Sequence, residues 1–149
     1  MSRAERAKEY FLQGYACSQA VLLAFSDVTG LDAETAEKIS LPFGGGMGRL
    51  RLTCGAVSGA VMVLGLLTSA TGVNPENKKL VYGEVQDYTK RFTEENGSIV
   101  CGELLKGANV QTTTETTADK RTNEYYKKRP CAELVYNAAQ ILEDKLREL

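Results

Sequence analysis

The spacing of apolar residues is helical along nearly the whole chain. In residues 2–13, Ala4, Ala7 and Phe11 share one face behind a Ser2 cap. Cys17, Val21, Ala24, Phe25 and Val28 form the stripe of a second helix over 17–29, which Gly30 stops. Asp32 caps a short helix over 33–40, ending before Pro42. A long apolar helix is predicted from Cys54 to Thr71. Asn74-Pro75 opens another helix, with Val81, Val85, Tyr88 and Phe92 at helical spacing as far as Asn96-Gly97. A short helix over 98–106 carries Cys101, Leu104 and Leu105. Residues 109–118 are threonine-rich and polar and read as a loop, and 119–128 as a short polar helix. Pro130 opens the last helix, whose apolar face holds Leu134, Val135, Ala138, Ile141 and Leu142. No segment alternates with period two and no repeat is visible. The expected fold is all-α, one domain over 1–149, with about six or seven helices around the 54–71 helix.

Residues 56–73 are apolar enough to raise a membrane span, since such a helix would reach about 28 Å. Ser58, Thr68, Ser69, Thr71 and three glycines interrupt the segment. The amphipathic helices around it need a partner, so it reads as the buried centre of a bundle, not a span. Met1–Glu9 is charged and lacks an apolar stretch, so it is no secretory signal. The expected compartment is the cytoplasm, where thiols stay reduced.

Net charge is −1, from 18 basic and 19 acidic residues. That removes the electrostatic case for nucleic acid as a partner. Lys120, Arg121, Lys127, Lys128 and Arg129 interleave with Tyr125 and Tyr126, but Glu124 breaks the run. The stretch reads as a solvated face, with docking of an electron-transfer partner as the other use. Histidine is absent, which excludes Ser-His-Asp and Cys-His catalysis and every histidine-bound metal.

The four cysteines carry the remaining chemistry. Cys17, Cys54, Cys101 and Cys131 are widely spaced and no Cys-x-x-Cys pair exists. A zinc ribbon, a ferredoxin loop and a thioredoxin-like dithiol all use close pairs. Each cysteine instead lies at the start or in the first turn of a predicted helix and leads its apolar stripe. Helix starts carry unpaired N–H groups and partial positive charge, which lower a thiol's pKa and favour thiolate. They would offset the charge of four thiolates without arginine or lysine entering the core. The alternative is that each cysteine is a small core hydrophobe.

Between Pro42 and Cys54 lies Gly44-Gly45-Gly46-Met47-Gly48-Arg49-Leu50-Arg51. It matches neither a Walker loop nor a dinucleotide fingerprint. Gly44, Gly45, Gly46 and Gly48, with Gly55, can bring backbone N–H groups close to an anionic cluster. A tight helix connection is the alternative, and a phosphate or carboxylate site using Arg49 and Arg51 is a third.

Cys17, Cys54-Gly55-Ala56-Val57-Ser58-Gly59, Cys101 and Cys131, with the preceding glycine loop, resemble the redox-active family labelled C_GCAxxG_C_C. Taken literally, the label differs around Cys54, which Thr53 precedes and Gly55 follows. The resemblance implies a redox role. The family is also similar to split-Soret cytochrome c, which implies a four-cysteine iron–sulfur site; its haems find no Cys-x-x-Cys-His here. The expectation is an iron–sulfur cluster, or zinc, bound by Cys17, Cys54, Cys101 and Cys131, serving electron transfer or redox sensing with an unidentified redox partner. The alternatives are a metal-free thiol–disulfide enzyme, and a zinc-stabilised structural or anion-binding module.

Overall fold

A computed structural model describes residues 1–149. It contains nine α-helices and no strand. Helix α1 is Arg3–Leu12, α2 Cys17–Ala24, α3 Ser26–Thr29 and α4 Ala33–Ser40; a 3-10 turn, Leu41–Phe43, follows. Helix α5 is Gly55–Thr68, α6 Pro75–Asn96, α7 Cys101–Gly107, α8 Asn123–Lys128 and α9 Cys131–Glu148. The count exceeds six or seven because the surplus elements are short. The helix expected over 17–29 breaks at Phe25, whose buried ring anchors the corner (φ −107°), and a single turn, α3, follows. Val28 therefore leaves the apolar stripe and faces solvent.

The centre of the bundle is shared by α2 and α5. Every residue from Ser18 to Ala24 is buried, and α2 packs on α1, α4, α5 and α9. Two polar residues can sit there because both find backbone partners. Ser18 Oγ donates to Ser40 O at 2.7 Å. Gln19 Nε2 donates to Glu37 O at 3.0 Å, while its Oε1 accepts from Ala16 N–H at 2.9 Å.

Helix α5 is buried only as far as Leu64, through Ala56, Val57, Ala60, Val63 and Leu64. It stops at Thr68 rather than Thr71, and Leu66 and Leu67 are exposed. The expectation of burial across 56–73 thus fails beyond Leu64. The reason lies in α6, which reaches the core only through Tyr88 and Phe92 near its far end. Tyr88 fixes that end by donating from its hydroxyl to Ala138 O on α9 at 2.8 Å. No helix is long and apolar enough to cross a membrane.

Candidate functional site

The four cysteines border one space. Cys17, Cys54, Cys101 and Cys131 all line one cavity of about 400 Å3. Cys17, Cys101 and Cys131 are the first residues of α2, α7 and α9, and Cys54 is the cap residue of α5. All four are free thiols.

Three local devices bring these helix starts together. The first is a close approach of α5 to α2. A Cβ on Gly55 would lie 2.4 Å from Cys17 Sγ, and one on Gly59 would lie 2.6 Å from Ser18 O. Glycine one turn apart, at 55 and 59, lets the two backbones touch and sets Cys17 beside Cys54. The second is an antiparallel bridge between Thr53 and Val100. Cys54 N–H donates to Ile99 O at 2.7 Å and Cys101 N–H to Leu52 O at 2.6 Å, so α5 and α7 start from one clasp. Period-two searches miss this pairing because it is one residue long.

The third device is the glycine loop. Gly45, Gly46, Met47, Gly48 and Arg49 all have positive φ, and Arg51 follows at 62°. This is a left-handed turn, closed by Gly48 N–H to Pro42 O at 2.7 Å and Leu52 N–H to Gly46 O at 2.9 Å. Left-handed conformation costs an L-residue roughly 1–2 kcal/mol, and glycine avoids that cost. Met47, Arg49 and Arg51 do not avoid it. Gly44, Gly45, Gly48 and Gly55 line the cavity wall. Gly46 instead stands behind Cys101, whose Cβ would lie 2.7 Å from a Cβ at position 46.

Burial decides the state of the thiols. It raises the pKa of Cys17 and Cys54, and takes Cys131 to about 12. Backbone N–H groups work against this: Gly45 and Ser18 on Cys17, Ala56 and Val57 on Cys54. They are outweighed, because desolvating a charge costs more than two amides return. The expected lowering of thiol pKa at helix starts is therefore reversed for these three. Neighbouring cysteines add to the rise, since one thiolate disfavours another close by.

The arginines of 121–129 also depart from the expected arrangement. Arg121 and Arg129 were expected on a solvated face, and helix ends alone were expected to balance the site. Both residues line the cavity, together with Arg49 and Arg51. Arg121 donates to Phe11 O at 2.8 Å and Tyr15 O at 3.1 Å, and its guanidinium stands 4.1 Å from the Phe11 ring centroid and 5.3 Å from that of Tyr125. Arg49 reaches Thr117 O and Asp119, and Arg129 reaches Asp119. Residues 109–118 are irregular as expected, the helix expected over 119–128 starts only at Asn123, and 109–122 thereby becomes a strap over the cavity. The missed signal was the spacing of Arg121, Tyr125 and Arg129 at four-residue intervals, which brings a guanidinium from each flank of α8 over the Tyr125 ring.

No three cysteine or carboxylate side chains converge closely enough to grip a single metal ion as they stand. The sulfurs stand in the walls of a space instead. The sequence profile of a family described as "putative redox-active protein (C_GCAxxG_C_C)" matches residues 15–145. The chain belongs to that family. The matched span takes in all four cysteines, the glycine loop and the strap, so the C_GCAxxG_C_C name describes the whole cavity and not one helix. No match was found among curated proteins or among solved structures.

Proposed function

We propose that this C_GCAxxG_C_C protein binds an iron–sulfur cluster through Cys17, Cys54, Cys101 and Cys131 and works in electron transfer or redox sensing. The observation that carries the reading is the convergence of four free thiols, from four separate helix starts, on one cavity walled by backbone amides and arginines. The donor set fits the group. Four thiolates are the ordinary ligands of such clusters, and hydrogen bonds and charge around the sulfurs set their potential. When bound, the cluster would supply one-electron transfer.

The chain's own contribution is legible. Gly45 and Ser18 amides serve Cys17, and Ala56 and Val57 amides serve Cys54. Ligation requires the thiols to lose their protons, and the cavity arginines can balance the charge that results. Zinc is the other candidate. It bonds sulfur at about 2.3 Å and so needs its ligands drawn to within roughly 4 Å of one another. A second reading, a metal-free thiol enzyme, is favoured by the same four free thiols. The reading suits the cytoplasm, where such thiols remain reduced.

Anaerobic purification tests these readings together. The cluster predicts brown protein with iron and acid-labile sulfide in comparable amounts, bleached by dithionite. Colourless protein with stoichiometric zinc makes the site structural. Colourless, metal-free protein whose thiols oxidise reversibly in pairs supports the thiol enzyme.

A further inference from the structure

The cavity holds more positive charge than its own residues balance. Arg49, Arg51, Arg121 and Arg129 face it, and Asp119 is the carboxylate in its wall. The guanidiniums differ in how well they are satisfied. Arg121 has two carbonyls and two rings. Arg51 is poorly served: Nε donates to Thr113 O at 3.2 Å, Nη1 has only the Cys101 sulfur at 3.9 Å, and Nη2 is buried with no partner. A buried guanidinium edge without an acceptor is costly, so a turn of Arg51 into the cavity it lines is favoured once an acceptor is brought there from outside.

Asp119 shows what kind of acceptor the wall takes. Its Oδ2 lies 2.7 Å from Arg129 Nη2 and 3.4 Å from Arg49 Nη2. Both arginine side chains are nearly buried, while Asp119 is half exposed. A carboxylate carried on the strap thus occupies one arginine pair, and Arg51 lines the same cavity with no carboxylate of its own and its Nη2 shielded and unpartnered. The planar fork of arginine matches the paired oxygens of carboxylate and phosphate alike.

We infer that the cavity is also a binding site for a small oxyanion, a phosphate or carboxylate compound, which draws the unpartnered edge of Arg51 into the cavity and competes with Asp119 for Arg49 and Arg129. The cavity volume lies within the range of small-molecule sites. Such an anion would sit beside Cys101, which makes it the substrate class of the centre; that last step alone rests on the redox reading above. Binding itself does not need the thiols to react.

The test uses the full chain, reduced and free of metal. Its melting temperature is followed against inorganic phosphate and, separately, malonate, with sodium chloride at matched ionic strength as control. Phosphate or malonate should raise the melting temperature beyond the chloride control, and the stronger of the two tells phosphate from carboxylate. Arg51→Gln should weaken binding about tenfold or more. Arg51→Lys, which keeps the charge, should bind more tightly than Arg51→Gln. Asp119→Asn should tighten binding several-fold by removing the internal competitor. An equal effect of chloride, or unchanged affinity in Arg51→Gln or Asp119→Asn, would overturn the inference. Loading of iron and sulfide is measured on the same preparations. Failure of the anion site leaves that loading intact, and failure of the cluster leaves phosphate binding intact.

Discussion

Helices that begin with a cysteine differ from those that do not. Ser2, Asp32, Asn74 and Thr122 cap α1, α4, α6 and α8 through side-chain oxygens that accept a backbone N–H. Helices α2, α5, α7 and α9 start at or beside Cys17, Cys54, Cys101 and Cys131, and in none does the cap residue's side chain accept a helix N–H; in α2 and α7 Gln19 and Ser98 accept only the cap residue's own N–H. A helix start leaves several N–H groups unpaired, and side-chain capping is the usual remedy. Apart from the single turn α3, which follows α2 directly and is also uncapped, the uncapped starts are the ones that line the cavity. In α2 and α5 the free N–H groups already point at sulfur. The difference separates helix ends built for local stability from helix ends left available for negative charge.

The largest effect on this arrangement should come from Gly59→Ala. Helix propensity favours alanine by about 1 kcal/mol. The added Cβ would lie 2.6 Å from Ser18 O, a backbone atom that cannot step aside. Overpacking of this kind costs roughly 1–3 kcal/mol or more. Because α2 would be pushed from α5, cluster loading should fall along with the melting temperature. Gly83→Ala, in open space on α6, is the control and should be neutral or slightly stabilising. Equal behaviour of the two variants would show that the α2–α5 contact does not set the site.

Cys54→Ser sharpens the comparison by splitting loading from stability. Residue 54 is the cap position of α5, and serine is a good cap where cysteine is not. The hydroxyl can accept from the N–H groups of Ala56 and Val57 that now face the sulfur. The metal-free variant should equal or exceed wild type, by up to about 1 kcal/mol in denaturant unfolding. Iron and sulfide incorporation should nevertheless collapse. Loss of stability in the unloaded variant would mean that the thiol is core packing and not a reserved ligand.

Much of this difference was legible in the sequence, and the rest was hidden for physical reasons. Caps at Ser2, Asp32 and Asn74 follow local chemistry and were expected. So was a cysteine at each of four helix starts. Thiol protonation was misjudged because it depends on burial, which helix position does not report. The arginines were misjudged because a run of basic residues looks the same whether it faces water or folds under a strap. The far end of α5 was misjudged because apolar composition shows what could be buried, not whether a neighbour arrives to cover it.

The two classes of helix start should also fail at opposite ends of the pH scale. In the reduced, metal-free chain, the folded pKa of Cys17, Cys54 and Cys131 is raised above the unfolded value near 8.5. The protonated thiol is the form the fold favours. Its contribution is complete below about pH 8.5 and is lost as pH rises toward 12, the folded value of Cys131. Asp32 behaves oppositely. The Thr35 N–H and hydroxyl lower its carboxyl below the ordinary value, so its contribution holds above about pH 4 and disappears as pH falls through the folded pKa. Unfolding monitored from pH 3 to pH 11 should show both limbs, and metal loading should remove the alkaline one, because ligated thiolates no longer ionise. An alkaline limb that persists unchanged after loading would mean that the cysteines are not the ligands.

The smallest effect should come from the capped class. Asn74 Oδ1 accepts from Asn77 N–H at 3.0 Å at the start of α6. Asn77 in turn accepts from Ala70 N–H at 2.7 Å and donates to Thr68 O at 2.8 Å, so this cap ties α6 to the end of α5 away from the cavity. Asn74→Ala removes one accepted hydrogen bond and should cost about 1 kcal/mol of unfolding free energy. Pro75 limits the damage, because its ring holds the first helical residue in place without the cap. Iron and sulfide content should be unchanged, since Cys54 sits at the opposite end of α5 and no cysteine belongs to α6. A drop in cluster content in Asn74→Ala protein that remains folded would show that the two ends of α5 are coupled, and that the division between capped and reserved helix starts does not hold.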